Sequence, residues 1–208
     1  MLTTEALARL EDLWGQPLGA LVPTDVLARL ADKGGAGRAV EAVLGIDPGH
    51  RLLDFDDGEL KTYRADRDGN PRETVCIHQL GDDFDDLLRG ARFARTRLYR
   101  KIRNVVLVGV DKEDRDPADW RVVLVHPLRL PPEGYWTFHL ERSFVDVREE
   151  LRRRMERREV FTTVSSDYLQ LRVKDGRPYR PLFSRHLGRH VSNKQVGWYF
   201  TRRLLREL

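Results

Sequence analysis

The stretch LLDFDDGELKTY, residues 52–63, places four carboxylates and one lysine within twelve residues. Its second half, GELKT, has the short alternating pattern that predicts a β-strand. In a strand, Glu59 and Lys61 point to the same face, while Leu60 points to the opposite face and into apolar packing. The strand is therefore expected to present an acid and a lysine side by side.

A second carboxylate is expected to join this pair. We interpret RLLDF, residues 51–55, as a preceding short strand, and a bend at the DDG that follows it brings the Asp54 carboxylate near that of Glu59. Two adjacent carboxylates repel each other unless a divalent cation lies between them. Mg²⁺ favours oxygen ligands and retains several waters, and Mn²⁺ can substitute for it. Asp54 and Glu59 are thus candidate magnesium ligands, whereas Asp56 and Asp57 are interpreted as turn residues.

The order acid, acid, apolar residue, lysine is typical of metal-assisted phosphodiester hydrolysis. A metal ion would polarise the phosphate, and the ammonium of Lys61 would stabilise charge in the transition state. The alternative is a charged surface strand, because 34% of the residues are charged and an acid two positions before a lysine also arises by chance. The chain has only six lysines beside 31 arginines, which favours a special role for a lysine at position 61.

The pattern along the chain predicts a mixed α/β (α+β) fold, with a mixed sheet flanked by helices. Glycine, proline and polar turns separate the apolar segments, and DRDGN at 66–70 predicts a hairpin or meander between two strands. Helices are expected at 3–14, 82–102, 143–159 and 193–208, and two helices separated by a glycine turn are expected within 23–45. Strands are expected at 51–55, 58–65, 72–80, 104–110 and 119–130, with a hairpin at 167–183.

Length and composition limit the class of protein. We expect residues 1–208 to form one unit, with two possible lobes around a DNA cleft: a catalytic lobe of about 1–135 and a basic DNA-reading lobe of about 136–208. No apolar run approaches the roughly 20 residues of a membrane span. A single cysteine, Cys76, cannot form an internal disulfide, so we expect a soluble protein of the reducing cytoplasm. His186 and His190 have the spacing of zinc ligands, but the arginines around them argue against zinc.

Basic residues concentrate in the C-terminal third. Residues 141–208 hold 17 Lys or Arg and 9 Asp or Glu, a net charge of +8, which leaves −4 of the total of +4 for residues 1–140. A basic surface of this kind suits a polyanion such as DNA. The alternative for LRRRMERRE, residues 151–159, is a solvated helix face whose arginines pair with nearby glutamates.

One predicted strand has an alternation suited to reading bases. In DYLQLRVKDG, four hydrogen-bonding side chains share one face and apolar side chains share the other. Arginine pairs with guanine and glutamine with adenine in the major groove, whereas a lysine can contact phosphate alone. An ordinary amphipathic strand has the same pattern. The four candidate DNA-binding residues are Tyr168, Gln170, Arg172 and Lys174.

Several motifs in the same order resemble one family. DFDDGELKTYRADRDGNPRET is similar to the active-site region of the MutH-type DNA mismatch-repair endonucleases and the related type II restriction enzymes, in which Asp, Glu-x-Lys, a G-x-P turn and E-T follow one another. Upstream, KGGAGRAVEAVLG resembles that family's K-G-x-x-G-x-x-x-E-x-x-L-G segment. Downstream, RLYRKIRNVVLVGV resembles a helix-to-strand stretch with a further lysine, and EVFTTVSSDYLQLRVK resembles a strand pair near the DNA-reading surface. The matches extend from Lys33 to Lys174.

The resemblance implies a restriction-endonuclease-like core and assigns roles to individual residues. Asp54 and Glu59 would bind the metal, and Lys61 would orient the attacking water or stabilise the phosphate. Glu41 would complete the acidic cluster from a helix. In addition, Lys33 and Lys101 would approach phosphate or water, and Tyr199 and Lys194 in the closing segment are candidates for DNA reading.

The expected function is a magnesium-dependent, sequence-specific endonuclease acting on double-stranded DNA, with two chains on a palindromic site. The alternatives are a mismatch-repair nicking enzyme, which would require partner proteins, and a module that binds DNA without cutting it. The spacing from Asp54 to Glu59 is two residues shorter than the mismatch-repair members lead us to expect. The closing segment does not align cleanly with the family, so the recognition sequence does not transfer.

Overall fold

The computed structural model describes residues 1–46, 52–81, 83–174 and 181–208. They form two compact units, each assembled from separate parts of the chain. Unit 1 comprises Met1–Val75, Lys101–Arg129 and Leu208, and unit 2 comprises Cys76–Arg100 and Leu130–Glu207. The chain thus passes between the units three times before its last residue, whereas the sequence analysis placed one division near residue 135.

The described residues combine helices and strands, as expected for a mixed α+β protein. The α-helices are α1 (Thr3–Glu11), α2 (Leu18–Leu21), α3 (Thr24–Leu27), α4 (Gly35–Leu44), α5 (Asp83–Leu88), α6 (Arg97–Ile102), α7 (Tyr135–Glu156) and α8 (Arg202–Glu207). The strands are β1 (Glu59–Ala65), β2 (Val75–Gln79), β3 (Asn104–Asp111), β4 (Arg121–Arg129), β5 (Val164–Ser165), β6 (Leu169–Lys174), β7 (Leu182–Ser184), β8 (Arg189–Ser192) and β9 (Gln195–Phe200). Short 3₁₀ helices occur at Phe93–Arg95 and Pro117–Asp119.

Unit 1 contains a mixed three-stranded sheet with the order β1-β3-β4. Strands β1 and β3 are parallel, with Glu59 opposite Val105, and β3 and β4 are antiparallel. The core forms where Leu60 of β1 and alternate valines of β3 meet the buried faces of α1 and α4. Burial of these apolar side chains is the main force that holds the sheet against the helices.

The sheets of unit 2 have strand orders β2-β9-β6-β5 and β7-β8. The long helix α7 buries one stripe, in which Phe144 contacts the rings of Phe93 and Trp198 at centroid distances of 5.4 and 5.7 Å. In β6, Leu169 and Leu171 are fully buried. The predicted apolar face is thus buried at Leu169 and Leu171, whereas Tyr168, predicted for the other face, is buried as well.

Three predictions for the middle of the chain are wrong. Residues 52–57 bend instead of forming a strand, because Asp56 and Asp57 take their hydrogen bonds outside any sheet. The DRDGN turn does reverse the chain, but strands β1 and β2 do not pair with each other. Instead, β1 pairs with β3, and β2 joins the four-stranded sheet β2-β9-β6-β5. The helix expected at 82–102 is broken, since Gly90 adopts a left-handed φ of 84° that ends α5.

Two predictions for the C-terminal region are also wrong. The closing helix expected at 193–208 is a strand, β9, followed by the short α8. The reason is that Val196, Trp198 and Phe200 are buried in a sheet, where aromatic and β-branched residues pack well. The expected hairpin at 167–183 is absent from the described residues, because β6 pairs with β5 and β9 while β7 pairs with β8. Its turn, at 175–180, lies outside the described residues.

Among the described residues, the helices are all too short or too polar to cross a membrane.

Candidate active site

Two lysines and a glutamate meet at the start of β1. Glu59 is 2% exposed, and its carboxylate accepts hydrogen bonds from two ammonium groups. Lys61 Nζ lies 2.6 Å from Glu59 Oε1, and Lys101 Nζ lies 2.8 Å from Oε1 and 2.9 Å from Oε2. A buried carboxylate is tolerated only when it is paired, so the two ammonium groups explain how Glu59 can be buried.

The parallel pairing of β1 and β3 brings these residues together. Glu59 lies opposite Val105 in the register, so both strands begin at the same end of the sheet. Lys101 stands four positions before Val105, at the end of α6, and its side chain reaches that same end. The 42-residue separation between Lys101 and Glu59 is therefore closed by the sheet topology.

Asp54 reaches the same point from the bend that precedes β1. Its Oδ2 accepts the backbone N–H of Leu60 at 2.9 Å and lies 3.5 Å from Lys61 Nζ. The Lys61 ammonium also donates to the Leu60 carbonyl at 2.8 Å. Asp54 and Glu59 thus both face the Lys61 ammonium, and the metal ion expected between them stays a prediction. Asp54 lies on a bend and not at the end of a strand.

The other two acids of the stretch hold the bend in place. Asp57 accepts hydrogen bonds from the backbone N–H and hydroxyl of Thr3, at 2.8 and 2.9 Å, and from Asn104 Nδ2 at 3.1 Å. Asp56 pairs with the amino terminus at 2.7 Å. A Cβ at Gly58 would lie 2.5 Å from the Asn104 carbonyl oxygen, so only glycine fits there. These contacts fix the position of Asp54.

Glu41 approaches the cluster from α4. Burial, together with the negative charges of Asp54 and Glu59, raises the pKa of the Glu41 carboxyl, while Lys61 and Arg38 act in the opposite direction. The Glu41 carboxyl is therefore within electrostatic range of Asp54, Glu59 and Lys61, although among the described residues no hydrogen bond or ion pair joins it to them. Its role in the acidic cluster stays a prediction from the resemblance.

The glycines around α4 explain how that helix packs so closely. Gly34 has a left-handed φ of 80°, and a Cβ at Gly35 would collide with the Leu30 carbonyl oxygen. A Cβ at Gly37 would lie 3.1 Å from the Thr62 hydroxyl on β1. Gly34 and Gly35 thus allow the tight turn that precedes α4, and Gly37 allows α4 to lie against β1. Glu41 follows on the same helix.

The chemistry of the donors fits a hard divalent cation. The carboxylates of Asp54 and Glu59 offer the oxygen ligands that Mg²⁺ prefers, and Mg²⁺ is commonly held by one or two carboxylates with waters. Among the described residues, no three His, Cys, Asp or Glu side chains form a group that could enclose a metal. Asp54 and Glu59 are the two carboxylates that could hold such an ion.

Lys33 stands apart from the cluster. It is exposed in the turn before α4, and its carbonyl oxygen accepts a hydrogen bond from Arg38 Nη1 at 3.1 Å. Within the described part of the chain, its ammonium has no ion-pair or hydrogen-bond partner. Of the residues that the resemblance assigned to the site, Glu41, Asp54, Glu59, Lys61 and Lys101 come together and Lys33 does not join them.

The candidate DNA-reading residues differ in accessibility. Tyr168 is only 5% exposed, and its hydroxyl donates to Glu207 Oε2 at 2.7 Å, a bond that raises the pKa of the phenol. The expectation that Tyr168 shares an accessible face is therefore wrong. Gln170, Arg172 and Lys174 are half-buried on the alternate positions of β6.

Two further candidates lie in or beside β9. Tyr199 is 8% exposed, pairs with Gln170 across the sheet, and has the Arg172 guanidinium 5.0 Å from its ring centre. Lys194 precedes β9, and its backbone N–H donates to the Ser192 hydroxyl at 3.1 Å. Gln170, Arg172 and Tyr199 thus form one polar and aromatic group on neighbouring strands of unit 2.

Four of the five arginines of α7 are paired with acids of the same helix. Glu149 pairs with Arg148 and Arg152 at 2.8 and 3.3 Å, and Glu150 pairs with Arg153 and Arg154 at 3.0 and 2.7 Å. This is the pattern of a solvated helix face. It favours the second of the two interpretations of LRRRMERRE.

Sequence reasoning missed Asn104, which joins three groups around the bend. Its Nδ2 donates to the Thr3 hydroxyl at 3.0 Å and to the Asp57 carbonyl and carboxylate at 3.1 Å. An asparagine before an apolar strand carries no signal of such a role. Its contacts span 101 and 47 residues of sequence, and only the fold reveals them.

No protein-family model matches this chain, and a search of curated proteins gave no match.

Proposed function

We propose that Glu41, Asp54, Glu59, Lys61 and Lys101 form the active site of a magnesium-dependent endonuclease that hydrolyses phosphodiester bonds in double-stranded DNA. The observation that carries this proposal is that two carboxylates face the same lysine ammonium group. The carboxylates of Asp54 and Glu59 both face the Lys61 ammonium, at 3.5 and 2.6 Å. Two acids and a lysine therefore converge in a combination that would support metal-assisted phosphodiester hydrolysis.

Each residue has a role that follows from its contacts. Asp54 and Glu59 would hold Mg²⁺, which when bound polarises the phosphate and lowers the pKa of a bound water. Lys61, 19% exposed and so accessible to a substrate, places its ammonium to orient that water or to stabilise charge on the phosphate. Lys101 is more deeply buried and holds Glu59, so we assign it a positioning role.

The mixed sheet of unit 1 supports a restriction-endonuclease-like core as part of this proposal. The Glu-x-Lys strand β1 runs parallel to β3, a helix carries Glu41, and the acids lie at the beginning of the strand. The polar and aromatic group of unit 2, formed by Gln170, Arg172 and Tyr199, would contact DNA. A protein that only binds DNA gains nothing from buried carboxylates that repel phosphate, which argues against a module without cleavage.

Supercoiled plasmid, methylated or unmethylated, tests the proposal and separates its forms. With Mg²⁺ or Mn²⁺, linear product indicates a restriction-type enzyme and open circles indicate strand nicking; a chelator should prevent both. Asp54→Asn should abolish cleavage while DNA binding stays equal or tightens, because a negative charge facing phosphate is removed. Lys61→Ala should slow cleavage at least about a hundredfold. Glu11→Gln, which neutralises an exposed acid of α1 in the same unit and away from the bend, is the control and should cleave normally.

Sedimentation with a cognate duplex addresses assembly. A palindromic site cut on both strands is most simply met by two chains related by a two-fold axis. One chain per duplex together with nicked product would establish the nicking form, for which protein partners would then be needed. Loss of DNA binding in Asp54→Asn would remove that residue from a metal site.

A further inference from the structure

Unit 2 contains a cavity of about 570 Å³ with an unusual concentration of arginine. Its lining includes side chains from the segment between α5 and α6, with Leu87, Leu98 and the buried Trp198 beneath them. The five arginines are Arg89, Arg92, Arg95, Arg97 and Arg100.

Only one of the five arginines has an acidic partner within the described residues. The lining holds two acids, Asp83 and Asp86, and Arg89 lies 3.7 Å from Asp86. Within the described residues, the remaining four arginines have no carboxylate at ion-pair distance. By contrast, the α7 residues Arg148, Arg152, Arg153 and Arg154 all pair with glutamate.

The segment that carries the cavity arginines is anchored from several sides. The Thr96 hydroxyl donates to the Phe93 carbonyl at 2.7 Å and accepts the Tyr99 N–H at 3.1 Å. Phe93 is buried against Phe144, and Arg148 Nη1 donates to the Ala91 carbonyl at 2.8 Å. The backbone under the arginines is therefore held in place without using their guanidinium groups.

Like charges gathered around one cavity repel each other, and an anion bound among them removes that cost. We propose that this cavity binds the phosphate group of a nucleotide. Guanidinium is the side-chain group best matched to phosphate, because its planar N–H donors bind two oxygens at once. A volume of about 570 Å³ accommodates more than a single inorganic ion and suits a nucleotide.

The phosphate has two possible sources with the same chemistry: a strand of DNA or a free mononucleotide. The DNA source rests on the proposed function, since a nuclease must hold its substrate by the backbone. The binding of phosphate by the cavity does not depend on catalysis in unit 1. The two proposals can therefore fail separately.

The test compares two double variants of the full chain in chelator, so that no cleavage occurs. Arg95→Gln with Arg97→Gln removes two charges from the cavity. Arg153→Gln with Arg157→Gln removes two exposed charges from the end of α7 and is the control. The probes are a fluorescein-labelled 20-base-pair duplex, followed by anisotropy between 50 and 200 mM salt, and deoxyadenosine monophosphate, followed by calorimetry.

For the duplex, we expect the cavity variant to bind at least about tenfold more weakly and the control to bind within about twofold of the parent. The slope of log affinity against log salt should fall by about 2, near 0.9 for each phosphate that the variant no longer neutralises. Saturable binding of the mononucleotide by the parent, abolished in the cavity variant, supports the cavity with a free nucleotide as ligand. Weaker duplex binding without mononucleotide binding supports it with DNA as ligand.

The proposal is overturned if both double variants weaken binding equally, or if neither changes the binding of either probe. Far-UV circular dichroism verifies folding, and Arg92→Gln with Arg100→Gln provides a second cavity variant that must give the same result. A protein that never cuts plasmid but loses duplex binding through these substitutions retains the cavity proposal and refutes the nuclease. If the protein cuts plasmid and the cavity variants bind both probes as the parent does, the nuclease proposal is retained and the cavity proposal is refuted.

Discussion

The ion pair between Glu59 and Lys101 should be among the strongest electrostatic interactions of unit 1. The side chains are 3% and 11% exposed, and both carboxylate oxygens accept from the ammonium, at 2.8 and 2.9 Å. Removing one partner of a buried pair leaves the other charge without compensation and costs about 3–5 kcal/mol. Lys101→Met should lower the free energy of unfolding by an amount near the lower end, because Lys61 remains beside Glu59. Glu59→Gln leaves the buried Lys101 ammonium without its carboxylate and should cost more within this range.

A double-mutant cycle isolates the interaction from the separate effects of the two substitutions. The double variant removes both charges, so its loss of stability should be smaller than the sum of the single losses by about 2 kcal/mol. The control is Glu150→Gln with Arg153→Met, a pair at 3.0 Å whose side chains are 31% and 61% exposed. For such an exposed helical pair, the coupling should not exceed about 0.5 kcal/mol.

Urea unfolding at pH 7, followed by far-UV circular dichroism, gives the free energies, and equal m-values verify that the variants unfold alike. A coupling energy for Glu59 and Lys101 no larger than that of the control pair would refute the reasoning. It would mean that the carboxylate is hydrated and that Lys101 does not hold it. The positioning role of Lys101 would then have no physical basis.

Three further outcomes follow from the same region. Burial and neighbouring acids raise the pKa of Glu41, so ionisation of this carboxyl opposes folding as the pH rises through the raised value. Glu41→Gln should therefore be more stable than the parent at pH 7.5 and no more stable than the parent at pH 4. Urea titrations at both pH values measure this difference. Gly58→Ala should lower the free energy of unfolding by about 1–3 kcal/mol, since its Cβ would lie 2.5 Å from the Asn104 carbonyl oxygen; parent-like unfolding would contradict this packing. Mg²⁺ should raise the melting temperature of the parent by binding the folded state, and a similar rise in Asp54→Asn would exclude Asp54 as a ligand.

The local part of the candidate site was predictable because a strand has a period of two. Glu59 and Lys61 lie side by side and Leu60 is buried in the core, as alternation requires. The turn chemistry of Asp56 and Asp57 was also readable, although their partners were not. Short-range geometry is nearly independent of the rest of the fold, so it is visible in the sequence.

Contacts between residues that are distant in the sequence were not predictable in this way. Lys101 lies 42 positions from Glu59, and nothing in its own neighbourhood distinguishes it from the surrounding arginines. A role for Lys101 was implied only by the resemblance of several motifs that follow in the same order. The parallel register of β1 and β3 explains how its side chain reaches Glu59. The segment Gln195–Phe200 was misassigned because its apolar residues fit a helical stripe as well as a strand, and pairing with β6 decides between them.

The use of lysine in the cluster has a physical explanation. The chain has six lysines among 37 basic residues, yet two of the six contact Glu59. An ammonium is compact, so two of them fit on one carboxylate, and Lys61 still reaches the Leu60 carbonyl at 2.8 Å. Two planar guanidinium groups would compete for the same carboxylate face. The compact ammonium is thus the cation that allows Lys61 and Lys101 to share the Glu59 carboxylate.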